Sequence, residues 1–144
     1  MNLELISIAL GVYGLAETPG AKDNPEIIQM AKDCGFGSDY QHDSIAWCSL
    51  LMNWVAWKAG YERSKSLAAR SWLTVGQPVN TPEEADVAVL WRDDPTGPFG
   101  HVGMPILKRV GSLYLLAGNQ GNMVNIAPAV AARVLGYRRL SKVA

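Results

Sequence analysis

The spacing of the apolar residues changes partway along the chain, and this change narrows the folds that are open to it. In the first half, apolar residues recur at helical intervals, as at Leu3, Ile6 and Leu10. After about residue 85 they occur in short β-rich runs, separated by turn sequences rich in Pro and Gly. Helices followed by strands, without βαβ alternation, predict an α+β fold in which N-terminal helices pack on a C-terminal antiparallel sheet.

Capping and turn residues predict where the individual elements begin and end. Asn24-Pro25 is typical of a helix start, with Asn as the N-cap and Pro at the first helical position. Gly60 is typical of a helix C-terminus. Helices are predicted from Leu3 onwards and over 25–34, 46–59 and 67–75. Strands are predicted over 87–92, 101–107, 113–118, 123–126 and 134–138.

Size and charge indicate the broad class of protein. The 144 residues suffice for a buried core, and we expect a single domain over residues 1–144. The 13 basic residues balance the 13 acidic ones, whereas a domain dedicated to nucleic acid needs an excess of Lys and Arg. The locally basic stretch from Arg133 to Lys142 is interpreted as a solvated strand end and tail. Nucleic acid is therefore not an expected partner.

The apolar runs also bear on location. No stretch reaches the ~18 continuous apolar residues of a membrane span. The N-terminal run is interrupted by Glu4, lacks a preceding Lys or Arg, and is not followed by a small-residue cleavage site. We therefore expect synthesis in the cytoplasm without a signal peptide, and action on a cell wall only after release or export.

Cys34 and Cys48 are the two cysteines of the chain. Two are too few for a disulfide-stapled secreted scaffold, although a Cys34–Cys48 bridge stays open at this point. Cys48 is predicted in the first turn of the third helix, where unpaired backbone N–H groups and the positive end of the helix dipole favour a thiolate. The alternative interpretation of Cys48 is a small core residue in an apolar helix.

His101 is the best candidate for a base that serves Cys48. It is predicted at the start of a strand, directly after a turn-rich loop, whereas His42 lies in a polar loop without a partner signal. Asn119 and Gln120 end the next strand, where an amide can orient the imidazole and select its tautomer. Strand alternation allows only one of these amides to face His101. Both are also ordinary turn residues beside Gly.

Four short motifs follow one another along the chain: Ala46-Trp47-Cys48-Ser49, Asp86-Val87-Ala88-Val89-Leu90-Trp91, Gly100-His101-Val102-Gly103 and Gly118-Asn119-Gln120-Gly121. Their order resembles the NlpC-type and CHAP (cysteine, histidine-dependent amidohydrolase/peptidase) superfamily. A small bacterial and phage group within it also has an Asn-Pro helix start, an Ala-Arg-Ser-Trp block and a closing Leu-Gly-Tyr-Arg-Arg. This chain has them at 24–25, 69–72 and 135–139. The resemblance covers nearly the whole chain.

The resemblance implies a papain-like α+β fold and hydrolysis of amide bonds in peptidoglycan stem peptides or at the muramoyl–L-alanine link. It implies Cys48 as the nucleophile and His101 as the base. The polar partner in the family pattern follows the small residues of the strand, which selects Asn119, with Gln120 in reserve. Related enzymes often have a carboxylate near the end of this strand, whereas this chain has Leu-Leu-Ala-Gly at 115–118.

Several other residues are candidates for contacting the substrate. Trp47 and Trp91 flank the expected cleft in sequence and are candidates for lining it, together with Gln120. Arg70 and Arg92 are candidates for binding stem-peptide carboxylates, with a surface ion pair as the alternative for each.

Neither a metal nor another cofactor is expected. Some CHAP relatives bind calcium just before the catalytic Cys, and Asp39, His42 and Asp43 lie there. Calcium requires six to eight oxygen ligands, and this loop has too few acids, so a solvated loop is the expected structure. The two His and two Cys do not have the spacing of a zinc site either.

The resulting hypothesis is a peptidoglycan hydrolase, either an endopeptidase or an N-acetylmuramoyl-L-alanine amidase, that acts as a phage-type lysin or an antibacterial effector. Two alternatives stay open. One is a non-catalytic cell-wall-binding module on the same fold, against which the intact Cys48 and His101 speak. The other is a cytoplasmic cysteine amidase or acyltransferase on a small amide. The expected partners are stem peptides, with an immunity protein or export machinery as further candidates, and we expect a monomer.

Overall fold

The computed structural model describes residues 1–18, 23–37 and 47–143. Three α-helices come first, α1 (Leu3–Leu10), α2 (Pro25–Asp33) and α3 (Cys48–Ala59). Six strands follow, β1 (Gln77–Val79), β2 (Val87–Trp91), β3 (Gly100–Arg109), β4 (Ser112–Gln120), β5 (Met123–Val130) and β6 (Val134–Arg139). This order confirms the predicted α+β class, with helices packed on an antiparallel sheet.

Local sequence explains the helix boundaries. The side chain of Asn24 accepts a hydrogen bond from the backbone N–H of Glu26 at 2.9 Å, and Pro25 opens α2 as predicted. α3 ends at Gly60, whose φ of 77° is a left-handed conformation that glycine adopts without strain. The predicted start of this helix at Ala46 lies outside the described residues. None of the described helices is long enough and apolar enough to cross a membrane.

The strands form one antiparallel sheet in the order β1-β6-β2-β3-β4-β5. All five predicted strands are present, and β1 is additional. β1 has three residues, one of them Pro78, and pairs with β6 at an edge of the sheet. The segment predicted as a short fourth helix forms a 3₁₀ helix, Ala69–Thr74.

Two apolar clusters lie on opposite faces of the sheet. The larger one packs α1, α2 and α3 on the face that carries Val102 and Leu116. The smaller one combines Leu90 of β2 and Leu115 of β4 with residues of β5 and β6. Because β5 and β6 are four places apart in the sheet, their meeting in one cluster shows that the sheet curls strongly.

Gly118 allows the start of α3 to lie close to β4. A Cβ at this position would lie 2.9 Å from Cε3 of Trp47 and 3.1 Å from Cβ of Leu51. Trp47 is completely buried, so its ring has no space into which it can move. The close approach brings the first turn of α3 next to the strand that ends at Gln120.

Candidate active site

An open cleft of about 350 Å³ lies between the first turn of α3 and strands β2 to β5. Cys48 and His101, which are 53 positions apart in the sequence, both line it. Asn119, Trp91, Arg92 and Arg133 are also among its lining residues. The cleft therefore brings together the nucleophile and the base that the sequence predicts.

Cys48 is the first residue of α3, and 6% of its surface is exposed. Both Cys34 and Cys48 are free, so the disulfide alternative does not apply. Burial raises the pKa of the Cys48 thiol, and the backbone N–H groups of Val102 and Ser49 oppose that rise only in part. A raised pKa favours the protonated thiol, whereas the position of Cys48 at a helix start led us to expect a thiolate. The resting group is a thiol that needs a base.

His101 provides a base in the appropriate protonation state. Burial lowers the pKa of the imidazole below its usual 6.5, and this effect exceeds the opposing effect of the hydrogen bond with Gln120. The positive charge of Arg92 lowers the same pKa further. At neutral pH the ring is therefore uncharged and can accept a proton.

The hydrogen bonds of Gln120 assign the tautomer of His101. Oε1 of Gln120 lies 3.0 Å from Nε2 of His101. The amide nitrogen of Gln120 donates to the backbone oxygens of Leu115 at 3.1 Å and Asn125 at 2.9 Å. These acceptors orient the amide, so Oε1 must accept and Nε2 of His101 must carry the proton. Nδ1 is then the nitrogen with a free lone pair, which can accept the proton of a thiol.

The contact predicted for Asn119 is made by Gln120. The pairing of β4 with β5 shifts register between Ala117 and Gln120, which adds one residue to β4. Asn119 has a φ of 58°, a left-handed conformation that Asn tolerates better than most residues. The bulge moves Gln120 to the side of the strand that a regular strand would give to Asn119. Asn119 instead lines the cleft.

Replacement of the two amides distinguishes their contributions. Gln120→Ala should lower kcat by roughly 10²-fold, below the ~10⁴-fold known for a charged orienting group, because the imidazole loses the contact that selects its tautomer. Asn119→Ala should change kcat by less than about 10-fold, because it removes no contact with the ring. Both kcat values would be measured on one peptide substrate, with thermal melts to verify folding. A larger loss in Asn119→Ala would show that Gln120 does not orient His101.

Asn125 is a site residue that sequence reasoning missed. Its Oδ1 accepts from the amide nitrogen of Gln120 at 3.0 Å, and its own amide donates to the backbone oxygen of Gln120 at 3.1 Å. Asn125 thus orients Gln120, which in turn orients the imidazole of His101. The available signal was a polar residue inside the apolar run 123–126, at a position where it pairs across a hairpin.

Arg70 was predicted to contact the substrate, but it is not among the residues that line the cleft. Its guanidinium donates to the backbone oxygens of Phe99 at 2.8 Å, Pro95 at 3.0 Å and Asp94 at 2.7 Å. All three nitrogens are therefore occupied by the loop between β2 and β3. Arg70 braces the chain directly before Gly100 and His101, and so it supports the site without reaching the substrate.

The two candidate tryptophans have different environments. Trp47 has no exposed surface, and its Nε1 donates to Oε1 of Glu17 at 2.8 Å. The prediction that Trp47 lines the groove is therefore wrong. The physical reason is the absence of a side chain at Gly118, against which the Trp47 ring packs. Trp91 lies at the end of β2 and does line the cleft.

A buried polar network attaches α3 to the segment that carries Arg70. Oγ of Ser49, directly after Cys48, donates to the backbone oxygen of Ser66 at 2.6 Å and accepts from Nε1 of Trp72 at 3.0 Å. Asn53 joins the network through the Ser66 oxygen at 3.2 Å. Ser49 and Asn53 are completely buried, and these bonds satisfy them.

No cluster of three or more His, Cys, Asp or Glu that could hold a metal ion occurs in the described part of the chain. The loop with Asp39, His42 and Asp43, considered for calcium, lies outside the described residues.

The pKa shifts of the pair predict a broad pH plateau. The pKa of His101 lies below 6.5 and that of Cys48 above 9.0, so the neutral thiol–imidazole pair predominates between these values. The value of kcat/KM should rise with pH as His101 loses its proton, with a midpoint below 6.5. It should fall only above pH 9.0, as the thiol ionises. Full pH profiles of kcat/KM would measure both limbs.

The pH dependence of alkylation tests the same assignment. Iodoacetamide reacts with thiolates, so alkylation of Cys48 should be slow at about pH 5 and accelerate steadily towards alkaline pH. Fast alkylation at about pH 5 would instead indicate a preformed thiolate–imidazolium pair and contradict the neutral pair.

Comparison with known proteins gives a match at the level of the fold. The structure of NlpC1 from Trichomonas vaginalis matches 96% of this chain with a TM-score of 0.54 and 16% sequence identity. The chain spans 44% of the length of that protein, which is less than half. At this identity the likeness shows a distant NlpC-like α+β fold. No family model and no curated protein matches the sequence.

Proposed function

We propose that this chain is a cysteine amidohydrolase that cleaves amide bonds in peptidoglycan peptides. One observation carries the proposal: Cys48, the first residue of α3, shares an open cleft with His101, whose Nε2 lies 3.0 Å from Oε1 of Gln120. A nucleophile, a base and an orienting group in this order are the elements of acyl transfer by a thiol.

The reaction begins with transfer of the Cys48 proton to Nδ1 of His101. The thiolate sulfur then attacks the carbonyl carbon of the scissile amide, and the carbonyl oxygen becomes an oxyanion. The imidazolium donates its proton to the leaving nitrogen as the carbon–nitrogen bond breaks, which releases an amine and leaves a thioester on Cys48. A water molecule, deprotonated by His101, hydrolyses the thioester to a carboxylic acid and restores the thiol.

The start of α3 supplies stabilisation for the oxyanion. α3 begins at Cys48, and its N-cap residue, Trp47, makes no side-chain capping hydrogen bond, so we assign the backbone N–H of Cys48 as a donor to the oxyanion. The positive end of the helix dipole adds to this effect.

Gln120 has a different effect from a carboxylate partner. It is neutral, so it orients the imidazole while adding only a dipole to the stabilisation of the imidazolium. Burial of His101 also disfavours the charged ring. The pair therefore stays neutral until the substrate binds, and it ionises in the proton transfer that starts the reaction.

The choice of a wall peptide as substrate draws on three supports. The NlpC-like fold is shared with NlpC1, and the ordered motifs around Cys48 and His101 resemble those of wall hydrolases. The cleft of about 350 Å³ is open at the surface, which suits a segment of an extended peptide. The bond cleaved lies within the stem peptide or at the muramoyl–L-alanine link, and the protein works as a lysin or a delivered antibacterial effector.

Incubation with purified sacculi tests the proposed function. We expect solubilisation of the sacculi with new free amino groups and without new reducing sugar ends, because an amide bond is broken. Binding to sacculi without release of amino groups would indicate a cell-wall-binding module. Intact sacculi alongside turnover of a small amide such as an N-acetylated amino acid amide would indicate a small-molecule amidase.

A further inference from the structure

The charge of the cleft is one-sided. Arg92, directly after β2, and Arg133, directly before β6, both line it together with Cys48 and His101. The described lining residues include no Asp or Glu. The two arginines are far apart in the sequence, but the antiparallel pairing of β2 with β6 places the end of β2 beside the start of β6. Their meeting in one cleft is therefore a property of the fold that the sequence pattern does not display.

Each guanidinium is held against an aromatic ring. The Arg133 guanidinium carbon lies 4.6 Å from the centroid of the Trp91 ring, and that of Arg92 lies 5.5 Å from the centroid of the Phe99 ring. Stacking of this kind restrains the planar group and leaves the N–H donors at its edge open. The two side chains are therefore oriented while they keep their capacity to donate.

The N–H donors of both arginines are not used by any described residue of the protein. Within the described part of the chain, neither Arg92 nor Arg133 has a hydrogen-bond or ion-pair partner. Arg70 and Arg138 contrast with them, because their guanidinium groups donate to backbone oxygens. Arg139 has an ion pair with Glu84 at 3.8 Å.

The positive charge of Arg92 affects the pKa values of Cys48 and His101. Arg92 acts electrostatically on both Cys48 and His101, lowering the pKa of each, although burial dominates both shifts. A charge that acts on both groups lies close to the position of a bound scissile amide. An anionic group of the substrate at Arg92 would therefore lie near the reacting carbonyl.

We propose that Arg92 and Arg133 bind a free carboxylate of the peptide substrate beside the scissile amide. Guanidinium groups match carboxylates because two parallel N–H donors can bind its two oxygens. The proposal rests on the proposed function and extends it, since it selects peptides whose carboxyl groups are free over those in which they are amidated. Arg92 and Arg133 are thus specificity-determining residues.

A pair of peptides tests this inference. One is a stem peptide with free carboxylates next to the scissile bond, and the other is the same peptide with these groups as carboxamides. Arg92→Gln and Arg133→Gln should each raise KM for the acidic peptide about 10- to 100-fold, the loss of one charge-assisted hydrogen bond, and leave KM for the carboxamide unchanged. Arg109→Gln, at an exposed position at the end of β3, is the matched control and should change neither value.

The outcomes that overturn the proposal differ from those that overturn the proposed function. Unchanged KM for the acidic peptide, or an equal loss on both peptides, would refute the carboxylate site while hydrolysis itself continues. A loss confined to binding of a phosphate polymer would assign the arginines to phosphate and also refute it. If the wild type hydrolyses neither peptide, calorimetric binding to Cys48→Ala decides. A preference for the acidic peptide that Arg133→Gln removes supports the site, and no preference overturns it.

Discussion

Cys48→Ala is expected to lower kcat on sacculi or stem peptides by at least about 10⁴-fold, because a methyl group cannot form the thioester. The fold should persist, since the change removes a single sulfur atom from a helix start, at a cost of about 1 kcal/mol in the free energy of unfolding. Initial rates and thermal melts of wild type and variant would measure both effects. A variant that hydrolyses at the wild-type rate would refute the nucleophile assignment.

Cys34→Ala is the matched control for this experiment. Burial raises the pKa of Cys34 to about 11, and its thiol donates to the backbone oxygen of Met30 at 3.2 Å, away from the cleft. Cys34→Ala should therefore keep most of the activity. Loss of activity in this variant, with its fold intact, would move the chemistry away from Cys48.

His101→Ala is expected to have the second large effect, a loss in kcat approaching that of Cys48→Ala. The buried thiol has a raised pKa, so without a base few molecules carry a thiolate at neutral pH. Because the two residues act as a unit, the double variant should be no slower than Cys48→Ala. Steady-state rates of the single and double variants would measure this non-additivity.

His42→Ala is the control for the base, since His42 is the other histidine of the chain. It should retain activity. If His42→Ala is inactive and His101→Ala is active, the imidazole in the cleft is not the base.

Local signals explain why the element order could be predicted. Helix caps act over a few residues, so Asn24-Pro25 and Gly60 mark helix ends that the structure confirms. Strand periodicity is also local, and all five predicted strands are present. Cys48 and His101 could be selected because a helix start and a strand start after a loop are visible in the sequence.

The details that could not be predicted depend on contacts between distant segments. Strand alternation selects Asn119, but the bulge between Ala117 and Gln120 arises from the pairing of β4 with β5, which alternation within one strand does not contain. In the same way, the sequence does not distinguish Arg70 from Arg92 as a substrate contact. In the structure, backbone oxygens of the β2–β3 loop accept the hydrogen bonds of Arg70, whereas Arg92 lines the cleft. Arg133 was interpreted as part of a solvated tail because its position in the cleft also depends on contacts between distant segments.

The measurement that tests the central claim most directly is mass spectrometry of sacculi digested in oxygen-18 water by wild type and by Cys48→Ala. Thioester hydrolysis predicts wild-type fragments with a new amino group on one product and one heavy oxygen in the new carboxyl group of the other. Cys48→Ala should release no such fragments. Fragments from Cys48→Ala at the wild-type rate, or wild-type products with heavy oxygen at a sugar end, would contradict an amidohydrolase that works through Cys48.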